Sequence, residues 1–418
     1  MNAYDLGNIN FFDPALLAHP FDLYRQLLGE APVLALPGTD VHLVSSYSLV
    51  AEACGRPADF SNDIRVLLAG GHAEHPEVKA ILDEGWPQQN VLLMSDPPAH
   101  SRYRKLVSLA FSLKRVDRIE TEIRRVASGL IDKLAKSDNG DFVADFVADF
   151  AIPLPVTIIA GQLGLPEADL QRVKRWTNAF TDRLGGMISL EREIECAREV
   201  VSFQQAMKAQ IDLRRASPQN DLLNDIVHAD VEGEEPLSLP ELLSILQQLL
   251  VAGNETTTNS LSEGLLMLIS QPEAMARLRA DPALIPNAVE EILRLASPVQ
   301  GNWRIVTRDC TLGGVDLKAG SKLMLRMAAA DRDPARYEHP GTLDPERRNA
   351  RTHLAFGRGI HQCIGNLLAR RELAVALELL LEGLDDITLD CNPSELVYAP
   401  NVMLRGLDRL PIRFRSKK

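Results

Sequence analysis

One of the five cysteines stands in a setting that suits chemistry. The stretch Phe356-Gly-Arg-Gly-Ile-His-Gln-Cys-Ile-Gly365 runs straight into an apolar-periodic segment, which predicts a helix over Ile364–Leu384 and places Cys363 at its N-terminal end. There the positive end of the helix dipole and unpaired backbone N–H groups favour the thiolate. Glycines at 357 and 359 permit a tight backbone and the close approach of a flat object, because no Cβ intervenes. A thiolate held out on such a loop is suited to coordinate a metal from one side. The other cysteines (54, 196, 310 and 391) are scattered and form no C-x-x-C pair, which argues against a disulfide framework or a thiolate zinc site. They read as inert thiols.

Three further patterns bear polar groups at meaningful spacing. Glu255-Thr256 lies inside Leu-Leu-Val-Ala-Gly-Asn-Glu-Thr-Thr-Thr at 249–258, within a helix predicted over Leu239–Ile269 and opened by a Ser238-Leu-Pro-Glu241 capping box. At 1.5 Å per residue that helix is roughly 45 Å long. Gly253 in its interior costs about 1 kcal/mol against alanine, and three consecutive threonines offer hydroxyls that compete for its own carbonyls. Glu291-Ile-Leu-Arg294 puts opposite charges on one helical face. Asp96-Pro-Pro-Ala-His100-Ser-Arg-Tyr-Arg104 marks a helix start, with His100 and Arg104 on a common face. His72 and His75 flank Glu74, and this short pattern reads as a solvated loop rather than a metal site.

The elements that must position these groups are mostly helical. Helical periodicity also covers Arg118–Leu134, Leu190–Arg214 and Asn287–Leu295. Strand-like alternation is confined to Pro32–Leu36, His42–Ser45, Arg304–Leu312, Lys322–Met327 and Pro411–Phe414. The segment from Ile64 to Asn90 is interrupted by glycine and proline and reads as an irregular lid. DFVADFVADF at 141–150 repeats every four residues, far too short for a solenoid. The 418 residues carry 45 basic and 57 acidic side chains, a net charge of −12, which excludes a general nucleic-acid binder. With 45% hydrophobic residues, no apolar run long enough to span a bilayer and no secretory leader, one compact cytoplasmic domain over residues 1–418 is expected.

The Phe356–Gly365 loop, with the three motifs in order, resembles the cytochrome P450 family of haem-thiolate monooxygenases in its bacterial form, and the resemblance runs over nearly the whole chain. It implies a mainly α fold with a small β-rich region, the triangular haem domain of the family. It implies haem b as cofactor, Cys363 as its iron ligand, and Phe356, His361 and Gly365 in the cofactor loop. His100, Arg104, Arg304 and His361 fall at the positions that serve the haem propionates. Glu255 and Thr256 match the acid–alcohol pair that organises proton delivery. Glu291 and Arg294, joined by Arg347 of Asp344-Pro-Glu-Arg-Arg348, match a structural ion-pair cluster. By family position the substrate pocket is walled by Val251, Ala252, Val299, Gln300, Met403, Leu404 and the lid.

The implied activity is hydroxylation of a hydrophobic small molecule (terpenoid, aromatic, steroid or fatty acyl) with O2. The 418 residues hold no flavin- or iron–sulfur-binding segment. Two electrons are therefore expected from a ferredoxin and ferredoxin reductase, docking on Arg102, Lys105, Arg351, Arg358 and Arg370. Neither nucleic acid nor membrane is an expected partner, and the chain is expected to act as a monomer. The alternatives are a haem-thiolate peroxygenase, which typically lacks the acid–alcohol pair, and a non-turnover haem sensor.

Overall fold

Buried apolar side chains spaced at helical intervals build most of the molecule, and the sheets are small. The computed structural model describes residues 4–68, 72, 74–135, 142–166, 170–185 and 188–417. The chain divides into two compact units. The first comprises residues 1–61, 120–154 and 256–418, and the second residues 62–119 and 155–255. Among the described residues, no helix is long and apolar enough to cross a membrane.

All the sheet belongs to the first unit. Strands β1 (Val33–Ala35), β2 (Val41–Val44), β3 (Phe60–Ser61), β5 (Asn302–Val306) and β8 (Lys322–Leu325) form one sheet in the order β1-β2-β8-β5-β3. Strand β4 (Phe142–Asp145) lies beside β10 (Pro411–Ser416), which also pairs β9 (Leu384–Leu389). Strands β6 (Cys310–Leu312) and β7 (Val315–Leu317) make a separate ribbon. The expected single strand Arg304–Leu312 is thus two. Its first half pairs β8 and β3, its second half pairs β7, and Thr307 between them donates its N–H to Asp59 O. The main helices of this unit are Ile285–Ala296 and Asn366–Gly383. The latter ends one residue before the expected Leu384, which instead opens β9 opposite Ser416.

The second unit is helical and irregular. Leu170–Gly185 pairs with Leu190–Ala216, burying Trp176, Phe180 and Phe203 in edge-to-face contact. The Leu239–Ser270 helix is unbroken, and the boundary between the units falls between its residues Glu255 and Thr256. Its expected capping box is half formed. Glu241 accepts from Ser238 N at 2.8 Å, but the Ser238 hydroxyl donates to that same carboxylate. Glu241 also receives Arg102 and Tyr103, and although burial opposes it, these donors hold the carboxyl at about 2.

Candidate functional site

In the first unit the cysteine loop is a set of backbone turns. Cys363 N donates to Phe356 O at 2.8 Å, Gly357 N to Leu354 O at 2.7 Å and Gln362 N to Gly359 O at 3.2 Å. Gly357 and Gly359 have φ of +66° and +76°, which L side chains rarely adopt. A Cβ on Gly359 would also fall 2.5 Å from the Cys54 carbonyl. The close approach that makes this glycine necessary is therefore to backbone. Cys363 is half-buried and lies three residues before the Asn366–Gly383 helix, whose N-cap is Gly365.

Arg304, on β5, is buried and donates Nη1 to Trp303 O at 2.7 Å. Val299 bridges Leu404, and Gln300 N donates to Met403 O at 2.7 Å, so these two segments are joined through backbone. The Gln300 side chain turns into the protein. It accepts from Tyr24 Oη at 3.1 Å and donates to Ser297 O at 2.8 Å. Its side chain is thus engaged within the protein, while its main chain joins the Met403 segment.

Glu291 and Arg294 form a two-pronged ion pair at 2.6 and 2.9 Å with no exposed surface. Arg347 Nε adds a third bond to Glu291 at 2.9 Å. Arg294 also donates to the carbonyls of Asp331 and Pro340, and its guanidinium lies over Tyr337. Asp331 is fully buried, and burial pushes its carboxyl up to about 6.

Two of the three threonines at 256–258 bond outside their own helix rather than to its carbonyls as expected. Thr258 donates to Ala151 O at 3.0 Å, and Thr257 to the buried carboxyl of Glu372. Burial pushes Glu372 up to about 8, so it holds its proton at neutral pH. Nothing in the spacing of Glu372 within an apolar-periodic helix marked it out beyond a charged residue on the buried stripe.

In the second unit His100 and Arg104 share a face of the Ala99–Ser108 helix. Burial, reinforced by the Arg104 charge, lowers the affinity of His100 for a proton. Val251 and Ala252 lie on the Leu239–Ser270 helix with Glu255. Burial raises the Glu255 carboxyl above its usual range, Asp182 adds to this and Lys174 opposes it. Asn254 is buried and donates to Thr177 at 3.2 Å, while its Oδ1 has no hydrogen-bond partner. Gly253 faces Ile159 at ordinary van der Waals distance, so its lack of a Cβ answers no close approach.

The lid contains two short helices, Arg65–Leu68 and Pro76–Leu82, and a single turn follows it at Leu92–Met94. Residues 69–71 and 73 of the lid lie outside the described residues. Three side chains stitch its irregular backbone to helices: Gln204 bonds both Trp86 N and O at 2.9 Å, Ser244 accepts from Gln89 N at 2.9 Å, and Gln248 bonds Val91 O and Leu93 N at 3.0 and 3.2 Å. None was recognisable in the sequence, since their partners lie more than 100 residues away. Arg65 pairs with Asp63 at the surface. Among the described residues no three His, Cys, Asp or Glu side chains converge as a metal site, the histidines of the lid included.

Of the expected docking cations, Arg102 is bound to Glu241, Lys105 to Glu234 and Arg370 to Glu290. Arg351, 3.6 Å from Glu290 Oε1, and Arg358 remain exposed, as does Lys105. A single sulfur donor on an open loop fits a metal whose other ligands arrive with it, as in a porphyrin.

The cytochrome P450 family model matches residues 189–385. The cytochrome P450 monooxygenase PikC of Streptomyces venezuelae is 36% identical over 402 residues, covering 95% of this chain and 92% of that protein. The vitamin D(3) 25-hydroxylase of Pseudonocardia autotrophica is 34% identical over 406 residues, covering 96% of each. The solved structure of CYP109Q5 from Chondromyces apiculatus superimposes with a TM-score of 0.86 at 30% identity, covering 98% of this chain and 99% of that one. The chain belongs to the cytochrome P450 family. It is a haem-thiolate monooxygenase that uses haem b and O2 to hydroxylate a hydrophobic small molecule, and it works with a redox partner.

Proposed function

We propose that Cys363 ligates the haem iron, that His100, Arg104, Arg304 and His361 hold the propionates, and that Glu255 and Thr256 deliver protons. Phe356 and Gly365 shape the cofactor loop, and Glu291, Arg294 and Arg347 hold the fold around it. Bound haem supplies O2 activation and insertion of one oxygen atom into a C–H bond. The chain's own part is to bind, orient and ration protons. One observation carries the assignment of the acid–alcohol pair: Glu255, next to Thr256 on one helix, is a carboxyl whose proton affinity is raised by burial. A carboxyl of that kind holds a proton closer to neutral pH and passes it to a neighbouring hydroxyl. A peroxygenase or a sensor has no need of it.

By family position, Val251, Ala252, Val299, Gln300, Met403 and Leu404 meet a substrate of terpenoid, aromatic, steroid or fatty acyl type. The relative named for vitamin D(3) hydroxylation supports such a compound. The protein works as a single haem domain in the cytoplasm, as a monomer, and receives electrons from a ferredoxin and its reductase. Of the five cations first considered, Lys105, Arg351 and Arg358 keep exposed surface for docking.

The test is spectroscopic. Reduced wild-type protein under carbon monoxide should show the strongly red-shifted Soret band of a thiolate ligand, and Cys363→Ala should lose it. An unchanged band in that variant overturns the ligand assignment. Arg358→Glu should slow reduction by ferredoxin at low salt, and unchanged rates remove the docking site. Spin-state titration against a hydrophobic compound library tests the substrate class.

A further inference from the structure

Glu290 precedes Glu291 on the Ile285–Ala296 helix and is equally buried, yet it takes no part in the Glu291 cluster. Both of its oxygens are taken by one guanidinium. Arg370 Nε donates to Oε1 at 2.8 Å and Nη2 to Oε2 at 3.0 Å, a fork-to-fork pair that fixes orientation as well as charge. His353 Nε2 lies 3.1 Å from Oε2. Its Nδ1 accepts from Ala355 N at 3.2 Å, so Nε2 carries the hydrogen and donates. Burial works against ionisation of Glu290, but His353 and Arg370 outweigh it and hold the carboxyl at about 2.

The remaining contacts of Arg370 reach the cysteine loop. Nη1 donates to Asn366 Oδ1 at 2.7 Å, and Asn366 Nδ2 donates to Cys363 O at 2.6 Å. The guanidinium carbon lies 4.5 Å from the centre of the Phe356 ring, a cation–π distance. Phe356 O in turn receives Cys363 N, and the His353 ring stands 5.6 Å from the Phe356 ring. One carboxylate therefore holds both ends of the loop: residues 353–356 through His353 and the Phe356 ring, and residues 363–370 through Arg370 and Asn366. An exposed cation, Arg351, also lies 3.6 Å from Oε1.

We propose that Glu290, acting through Arg370, is the positioning residue of the cysteine loop and keeps Cys363 in the conformation in which its sulfur stays a ligand. The inference rests on Cys363 being that ligand. A general stability role predicts that loop and fold fail together, whereas this role predicts that the loop fails first.

The test uses haem-loaded protein, reduced under carbon monoxide, in mild denaturant. The thiolate Soret band and far-ultraviolet circular dichroism are followed side by side. Glu290→Gln and Arg370→Met should lose the band at least about tenfold faster than wild type while the dichroism is unchanged, the factor expected for one charge-assisted hydrogen bond. Arg370→Lys, which keeps the charge but not the fork, should fall between. Band loss at the wild-type rate, or accelerated only in step with unfolding, overturns the proposal. Should Glu290→Gln fail to fold, Arg370→Lys decides alone, and a wild-type rate in that variant overturns it. A wild type without the thiolate band overturns the ligand assignment instead, and this inference with it.

Discussion

Two pairs of glutamates sit in opposite electrostatic company. Glu290 and Glu291, adjacent on one helix, are clasped by Arg370 and by Arg294 with Arg347. Among the described residues no guanidinium pairs with Glu255 on the Leu239–Ser270 helix or Glu372 on the Asn366–Gly383 helix, and burial raises both carboxyls. Burial opposes ionisation of Glu255, Glu290 and Glu372 alike, so the partner decides the direction of the shift.

The strongest way to break the comparison is to remove a fixed charge. Glu291→Ala strands Arg294, which has no exposed surface, and should cost roughly 3–5 kcal/mol in urea denaturation. A loss below 1 kcal/mol would make the cluster dispensable.

The pH dependence of the two classes should run in opposite directions. Glu372 has its folded-state affinity raised from 4.5 to about 8. The unfolded chain ionises it from pH 4.5 upward while the fold retains the proton, so stability drops between pH 4.5 and about 8. Glu372→Gln should abolish that decline, read from melting temperature against pH. Glu290 is lowered from 4.5 to about 2, so its contribution is complete above pH 4.5 and disappears as pH falls toward 2. Glu290→Gln should flatten this acid limb and leave the alkaline one alone.

Smaller effects separate the neighbouring threonines. Thr256→Ala should keep NAD(P)H consumption running through the redox chain while hydrogen peroxide replaces product, lowering product per electron by roughly tenfold. Intact coupling would transfer the role to another hydroxyl. Thr257→Val removes only the donor to Glu372 and should cost about 1 kcal/mol with coupling unchanged.

How far the sequence reaches depends on how local the signal is. Glu291 and Arg294 were legible because three residues of helix put them together, and Cys363 because ten consecutive residues define its loop. Glu290 lay beside Glu291 unremarked, since Arg370 is 80 residues away. Gln204 and Gln248 escaped for the same reason, being polar residues on helices whose purpose appears only when the lid backbone reaches them.

The repeat at 141–150 makes the division sharpest. Phe142-Val-Ala-Asp145 and Phe146-Val-Ala-Asp149 are the same four residues. The first copy is strand β4, paired with β10 and stacking Phe142 on Phe414 at 5.5 Å. The second is helical from Phe146 onward and stacks Phe146 on Phe150 at 5.2 Å. Asp145 ends the strand by accepting from Val147 N and Leu410 N. Composition and periodicity determined that this is a mainly helical chain presenting one sulfur from a glycine loop. Only the tertiary fold decided which copy extends and which coils, because backbone groups must find partners and the free edge of β10 stood beside the first copy alone.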